Sequence, residues 1–304
     1  MSNFVESSEH PLSIEGLKSR LVIGIAAILA GFVQLIVIIF GPLFGKNIIQ
    51  YHFSDSSLIQ LYGQEIVSLI LVVPALIIGG ILWIMRNDIS TYLLAFSSGN
   101  IIYNGLTYGL FSDFAIPGNS ERFSLLFIFL INVGLILVVT SYRAFNQKKI
   151  DYNQIKRKQI TIIIIAFGTI LTLFLLLWLK QVFEVTIIGT TNPSSIYEDN
   201  KNGFWLIKFL DLGIAIPLGF YSTYLLWKRS SKSFPLVILL YSFFASMIAA
   251  VFGMLITQFV FNDQSITFGN GVIFGLLTVV TWIVYIKLII IRQSAIKKKK
   301  ENSL

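Results

Sequence analysis

Apolar runs long enough to cross a bilayer recur along the chain, at about 21–44, 65–85, 89–111, 123–142, 160–182, 203–227, 234–261 and 268–291. A spanning helix needs roughly 20 mostly apolar residues. The pattern therefore predicts an all-α fold, a polytopic transmembrane bundle of eight spanning helices. The polar interruptions are short and leave no room between helices for a separate soluble domain. The expected organisation is a polar tail over 1–18, a membrane domain over 19–292 and a basic tail over 293–304. The first run is too long for a signal-peptide core and no clear cleavage site follows it, so it is expected to be an uncleaved anchor.

Composition agrees with this reading. The chain is 55% hydrophobic and 12% charged, far below the roughly 25% charge of a soluble domain. It has no cysteine, which excludes disulfides, thiolate metal sites and cysteine nucleophiles. The only histidines, His10 and His52, lie outside the apolar runs, so no haem, buried zinc or other cofactor is expected. A net charge of +8 suggests nucleic acid at first sight, but the basic residues sit in short loops beside apolar runs, which is a topology signal. No nucleic-acid partner is expected. One side of the bundle holds only Lys46, Arg122, Lys180 and Lys201. Lys208 and Lys287 fall within runs, and every other Lys and Arg falls on the opposite side. That asymmetry predicts a multi-pass protein of the cell membrane with both termini cytoplasmic. Trp83, Trp178, Trp205 and Trp227 lie near run ends, where an interfacial belt is expected; Trp282 does not.

The runs also suggest a duplication. The second and the sixth each contain a proline, Pro74 and Pro217, twelve residues before an arginine, Arg86 and Arg229, with Trp83 or Trp227 shortly ahead of it. Four helices per half give two halves of the same orientation, 19–146 and 159–292, a parallel four-plus-four repeat.

The third run is the most polar. Ser97, Asn100, Asn104, Thr107 and Tyr108 recur at helical spacing and form one stripe, bordered by Tyr103. Such a stripe avoids lipid. It can line a cavity or bond to neighbouring helices. In the sixth run Lys208 and Asp211 are three residues apart on one face. A mid-membrane Asp or Lys costs about 2.5–3.5 kcal/mol on insertion scales, so such residues usually face protein or water. Lys208, roughly 8 Å from the outer end of its helix, can snorkel out; Asp211, roughly 12 Å in, is too short to do so. Pro217 frees the carbonyl of Gly213 one turn beyond, which makes Asp211 a candidate proton or cation site. The alternative is a Lys208–Asp211 pair that only fixes packing. Gln34 and Asn132 are expected to bond to adjacent helices, and Glu121 with Arg122 to form a solvated surface pair. Ala245, Ala249 and Gly253, and likewise Gly271 with Gly275, mark faces where backbones come close. The lysine run 297–300 reads as a topology signal. No nucleotide loop, zinc-protease motif, nucleophile elbow or pair of intramembrane aspartates occurs, so the reading leans away from an enzyme and names no catalytic residue.

The stretch KFLDLGIAIPLGF, followed by a basic turn, resembles the sixth helix of an uncharacterised family of prokaryotic eight-helix membrane proteins. The matching positions are Asp211 and Pro217, with Tyr103 and Tyr108 in the tyrosine-rich third helix, NIIYNGLTYGLF. The resemblance covers most of 66–256 and implies fold and topology without an activity. It departs at Lys208, where the family's HxxD pattern has histidine, and this argues against a metal site.

Two functions fit. One is a small-molecule or ion-binding transporter with a cavity between the third and sixth helices, built on Asp211, Lys208, Asn100, Tyr103, Asn104 and Tyr108 and loosened at Pro74 and Pro217. The other is an accessory or scaffold protein whose polar groups lock helices together and whose outer loops meet a membrane protein partner.

Overall fold

The computed structural model describes residues 14–147, 152, 155–188, 196–230, 233–263 and 268–301. His10, most of the N-terminal tail, Lys148, Lys149 and Lys232 lie outside the described residues, as do the side chains of 297–300. Among the described residues there are helices and short connections, with no strand. The long helices, first to eighth, are Ile14–Phe40, Asp55–Ile84, Ile89–Leu110, Ser124–Gln147, Arg157–Phe183, Lys201–Trp227, Ser233–Val260 and Phe268–Glu301. Seven of them contain a stretch long and apolar enough to cross a membrane. This is a multi-pass membrane protein.

The exception is the third helix, and its polarity follows from its position. It packs against the second, fourth and seventh helices, and its Ser97, Ser98, Asn100 and Asn104 are fully buried. A helix sheathed by other helices has no lipid to satisfy. Its side chains are selected for fit and hydrogen bonding. The seventh helix, the other inner element, is 67% buried over its most apolar window, whereas the outer helices present rows of exposed Ile, Leu and Val.

Capping and proline chemistry set the boundaries. The second helix begins ten residues before its apolar run, at Asp55, because the Ser54 hydroxyl accepts the Ser57 N–H at 3.2 Å. The second and sixth helices, which carry a proline in mid-helix, each contain a wide, five-residue π turn just ahead of it: Ser68–Val72 before Pro74 and Asp211–Ala215 before Pro217. Proline has no N–H to give, and its ring crowds the carbonyl four residues back. One residue of extra winding relieves both problems. The eighth helix continues past its apolar run to Glu301. There the buried Arg292 donates to the Tyr92 hydroxyl at 3.0 Å and to the Phe145 carbonyl at 2.9 Å, joining the start of the third helix to the end of the fourth and to the eighth.

The interval of 143 residues from Pro74 to Pro217 recurs across the fold. It separates Arg86 from Arg229, both in left-handed backbone at φ 64° and 51°. It also relates the closing bonds of the second and sixth helices, Asn87 N–H to Leu82 and Ser230 N–H to Leu225. Ser90 and Ser233 continue the series, each returning its hydroxyl to the carbonyl three residues back.

The second and seventh helices cross at Gly63 and Gly253, where a Cβ on Gly63 would overlap the Gly253 carbonyl. The Thr257 hydroxyl donates to the Ile59 carbonyl at 2.8 Å beside this crossing. Gly253 thus belongs to a close face, as its spacing with Ala245 and Ala249 predicts. Gly271 does not: a Cβ there would meet open space, and Gly275 faces the Phe252 ring rather than a backbone. Spacing alone cannot tell a packing face from a lipid face. Gly63→Ala is expected to force the crossing apart and cost about 1–3 kcal/mol, read as a lower thermal midpoint in detergent, while Gly271→Ala leaves the midpoint unchanged.

Candidate functional site

Asn200 caps the sixth helix, accepting the Gly203 N–H at 2.8 Å and donating to the Phe111 carbonyl at 2.6 Å, so the helix is anchored on the end of the third. Two turns on, Lys208 is 3% exposed. It does not snorkel. Its ammonium lies 3.4 Å from the centre of the Trp178 ring and 4.7 Å from that of Phe204, where the ring faces attract a cation. The indole N–H of the same Trp178 donates to Asp211 Oδ2 at 2.7 Å. Trp178 is therefore no interfacial anchor: it sits between the two charges and holds both. Lys208 and Asp211 make no ion pair within 4.0 Å, so the packing pair is not formed. Asp211 opens the wide turn, and its charge acts on the hydroxyl of Tyr103 from the third helix.

The rest of the polar stripe fans out rather than facing one cavity. Asn104 accepts from Gln64 at 2.5 Å and donates to the Ser68 hydroxyl at 3.1 Å, both on the second helix. The Tyr108 hydroxyl accepts from Gln34 of the first helix at 3.0 Å. Asn100 points its amide at the Met247 sulfur of the seventh, 3.7 Å away. Ser97 bonds to the Leu93 carbonyl of its own helix. Of the stripe and its border, then, Tyr103 alone lies within electrostatic range of Asp211; Asn100, Asn104 and Tyr108 serve other contacts. A helix lends its faces to several neighbours at once, and a stripe read from spacing does not say which. Two cavities, of about 310 and 370 Å³, open along the fifth helix, and neither is lined by these residues.

Gln34 bonds as its sequence setting predicts, but Asn132 is exposed on the outside of the fourth helix. Glu121 does not pair with Arg122. It binds His52, whose Nε2 lies 2.8 Å from Glu121 Oε2 and whose Nδ1 lies 2.5 Å from the Ile116 carbonyl oxygen. Both partners only accept, so both ring nitrogens donate in the charged form. This contact ties the loop between the first and second helices to the start of the fourth.

One group escaped the sequence reading. Glu65 falls at the head of an apolar run and reads as its polar boundary. The helix starts ten residues earlier, so Glu65 lies well inside, 0% exposed. Neither carboxyl oxygen has a hydrogen bond of ordinary geometry; the Leu43 backbone N–H is the one donor that acts on it. Its charge acts on the hydroxyls of Tyr51 and Tyr108.

No family model matches the chain, and no curated protein or solved structure matches it either.

Burial of His52 opposes its charge, but the bonds to Glu121 and Ile116, helped by the charges of Glu121 and Asp113, outweigh it and raise its pKa. A raised folded-state pKa means that the protonated ring stabilises the fold. That contribution is full below the unfolded value near 6.5 and is lost as pH rises through the higher folded value. The thermal midpoint is expected to fall as pH rises through this window, and Glu121→Gln to flatten the fall. Equal pH profiles for the two proteins would refute the pairing.

Proposed function

We propose that the protein binds a small molecule or ion within the membrane, in the manner of a transporter, with Asp211 as the principal binding group. The observation that carries this reading is a buried lysine and an aspartate on one spanning helix, at a wide turn, held apart by a tryptophan instead of neutralising each other. Ionisable groups inside a membrane are costly and mark function by default. Trp178 occupies one Asp211 oxygen, and Oδ1 makes no hydrogen bond among the described residues. The wide turn disturbs the helical bonding of the carbonyls before Pro217. A carboxylate oxygen, loosened carbonyls and the Tyr103 hydroxyl together suit a cation or a ligand with a donor group.

In this reading the third helix also spans, giving eight spans in two parallel halves, 19–146 and 159–292. The recurring interval of 143 residues supports it, as does the packing. The first helix meets the second as the fifth meets the sixth, and the third meets the fourth as the seventh meets the eighth. Asp211 then stands in the second half where Ser68 stands in the first. The placement in the cell membrane with cytoplasmic termini rests on the distribution of Lys and Arg.

A specific observation favours a second reading, an accessory protein with a membrane protein partner. The bonds among Gln34, Gln64, Ser68, Asn104 and Tyr108 spend much of the third-helix polarity on joining helices.

Native mass spectrometry of gently purified protein, wild type beside Asp211→Asn, separates the two. Asparagine keeps an acceptor for Trp178 and removes the charge. The expected outcome is a small bound mass retained by wild type and lost in the variant at equal folded yield. Identical spectra would overturn the Asp211 reading, and a co-purifying protein in both would favour the accessory one.

A further inference from the structure

The first half has a buried charge of its own. Glu65 precedes Lys208 by the same 143 residues that separate Ser68 from Asp211, so each half sets one ionisable side chain one turn ahead of its wide turn. The two are opposite in sign and both are buried, at 0% and 3% exposure. In the second half the ammonium rests on two aromatic faces. In the first half the acid has no such counterpart, since the Ser68 hydroxyl that stands for Asp211 is taken by Asn104.

The surroundings of Glu65 favour positive charge. The first helix ends at Phe40 beside it, and a helix C-terminus carries partial negative charge. Gly41 makes room: a Cβ there would stand 3.1 Å from Glu65 Oε1. The Tyr51 hydroxyl is buried without a partner, and so is the amide oxygen of Gln34, whose nitrogen bonds to Tyr108. Tyr51 stacks on Tyr108 with ring centres 5.5 Å apart, closing the outer side. Tyr51 from the loop after the first helix and Tyr108 from the third helix are the titratable groups within electrostatic range of the carboxyl. No charged group from the first, third or seventh helix acts on it. An unpaired carboxylate in such a place is very costly, and such a group either takes a proton or binds a cation. Oxygen atoms are the ligands that small hard cations prefer.

We propose that Glu65 is a monovalent-cation site of the first half, at which a proton and a sodium ion compete for the same carboxyl. The site is separate from Asp211 and stands whether or not Asp211 binds a ligand.

Infrared difference spectroscopy of the full-length protein in lipid vesicles tests it through the C=O stretch of a protonated carboxyl. A band is expected that is absent in Glu65→Gln and shifted in Glu65→Asp, which keeps the test open if the first variant fails to fold. Its loss on replacing choline chloride with sodium chloride at constant pH and ionic strength would identify sodium as the competing ion. Loss on raising the pH with no response to sodium would also overturn the proposal, leaving a site for protons only. Absence of the band at every pH, or a band that responds to neither change, would overturn the proposal: the first means an ionised, paired carboxylate and the second a structural neutral acid. Asp211→Asn is expected to leave the band in place, so this result and the ligand result at Asp211 fail independently.

Discussion

Two missing N–H groups organise this molecule. Inside a bilayer every backbone donor and acceptor needs a partner from the protein itself, and Pro74 and Pro217 each withdraw one donor from the middle of a helix. The helix answers with a wide turn in both places. That turn rotates the residues before it, so Ser68 and Asp211 sit at its opening and Glu65 and Lys208 one turn earlier. The chemically capable side chains of the second and sixth helices stand at fixed positions relative to this one backbone adjustment.

Polarity then follows enclosure. The third helix can carry serine, asparagine and tyrosine through the middle of the protein because its neighbours screen it from lipid. The bonds it makes to the first and second helices turn that cost into specific alignment. The outer helices do the reverse, keeping exposed Ile, Leu and Val toward lipid and glycine where backbones cross. Arg292 on one side and the His52–Glu121 contact on the other fasten the ends of the bundle, where water can still share the solvation of charge.

The stretches around Pro74 and Pro217 share a backbone framework and differ in charge. Lys208 is held by the faces of Trp178 and Phe204, which attract a cation without neutralising it, and Asp211 is left with an oxygen to spare. Glu65 is as deeply buried, without a hydrogen-bond partner of ordinary geometry for either oxygen. In both stretches an ionisable group stands one turn ahead of the wide turn, and its surroundings come from other helices.

The sequence by itself determined what periodicity and charge control: helices throughout, long apolar segments, the polar third helix, and proline breaks in the second and sixth. These features depend on a helix and its solvent alone, so they are written along one segment. It also marked Lys208 and Asp211 as costly inside a membrane. Only the tertiary structure decided their partners, because Trp178 lies on a different helix from both and nothing in its own surroundings distinguishes it from an interfacial tryptophan. The same holds for the stripe, whose Asn100, Asn104 and Tyr108 part toward three neighbours. It holds too for Glu65, whose depth depends on a helix that starts at Asp55 rather than where hydropathy rises. Spacing fixes which residues share a face; what that face meets is settled by chain folding, which brings together residues far apart in sequence.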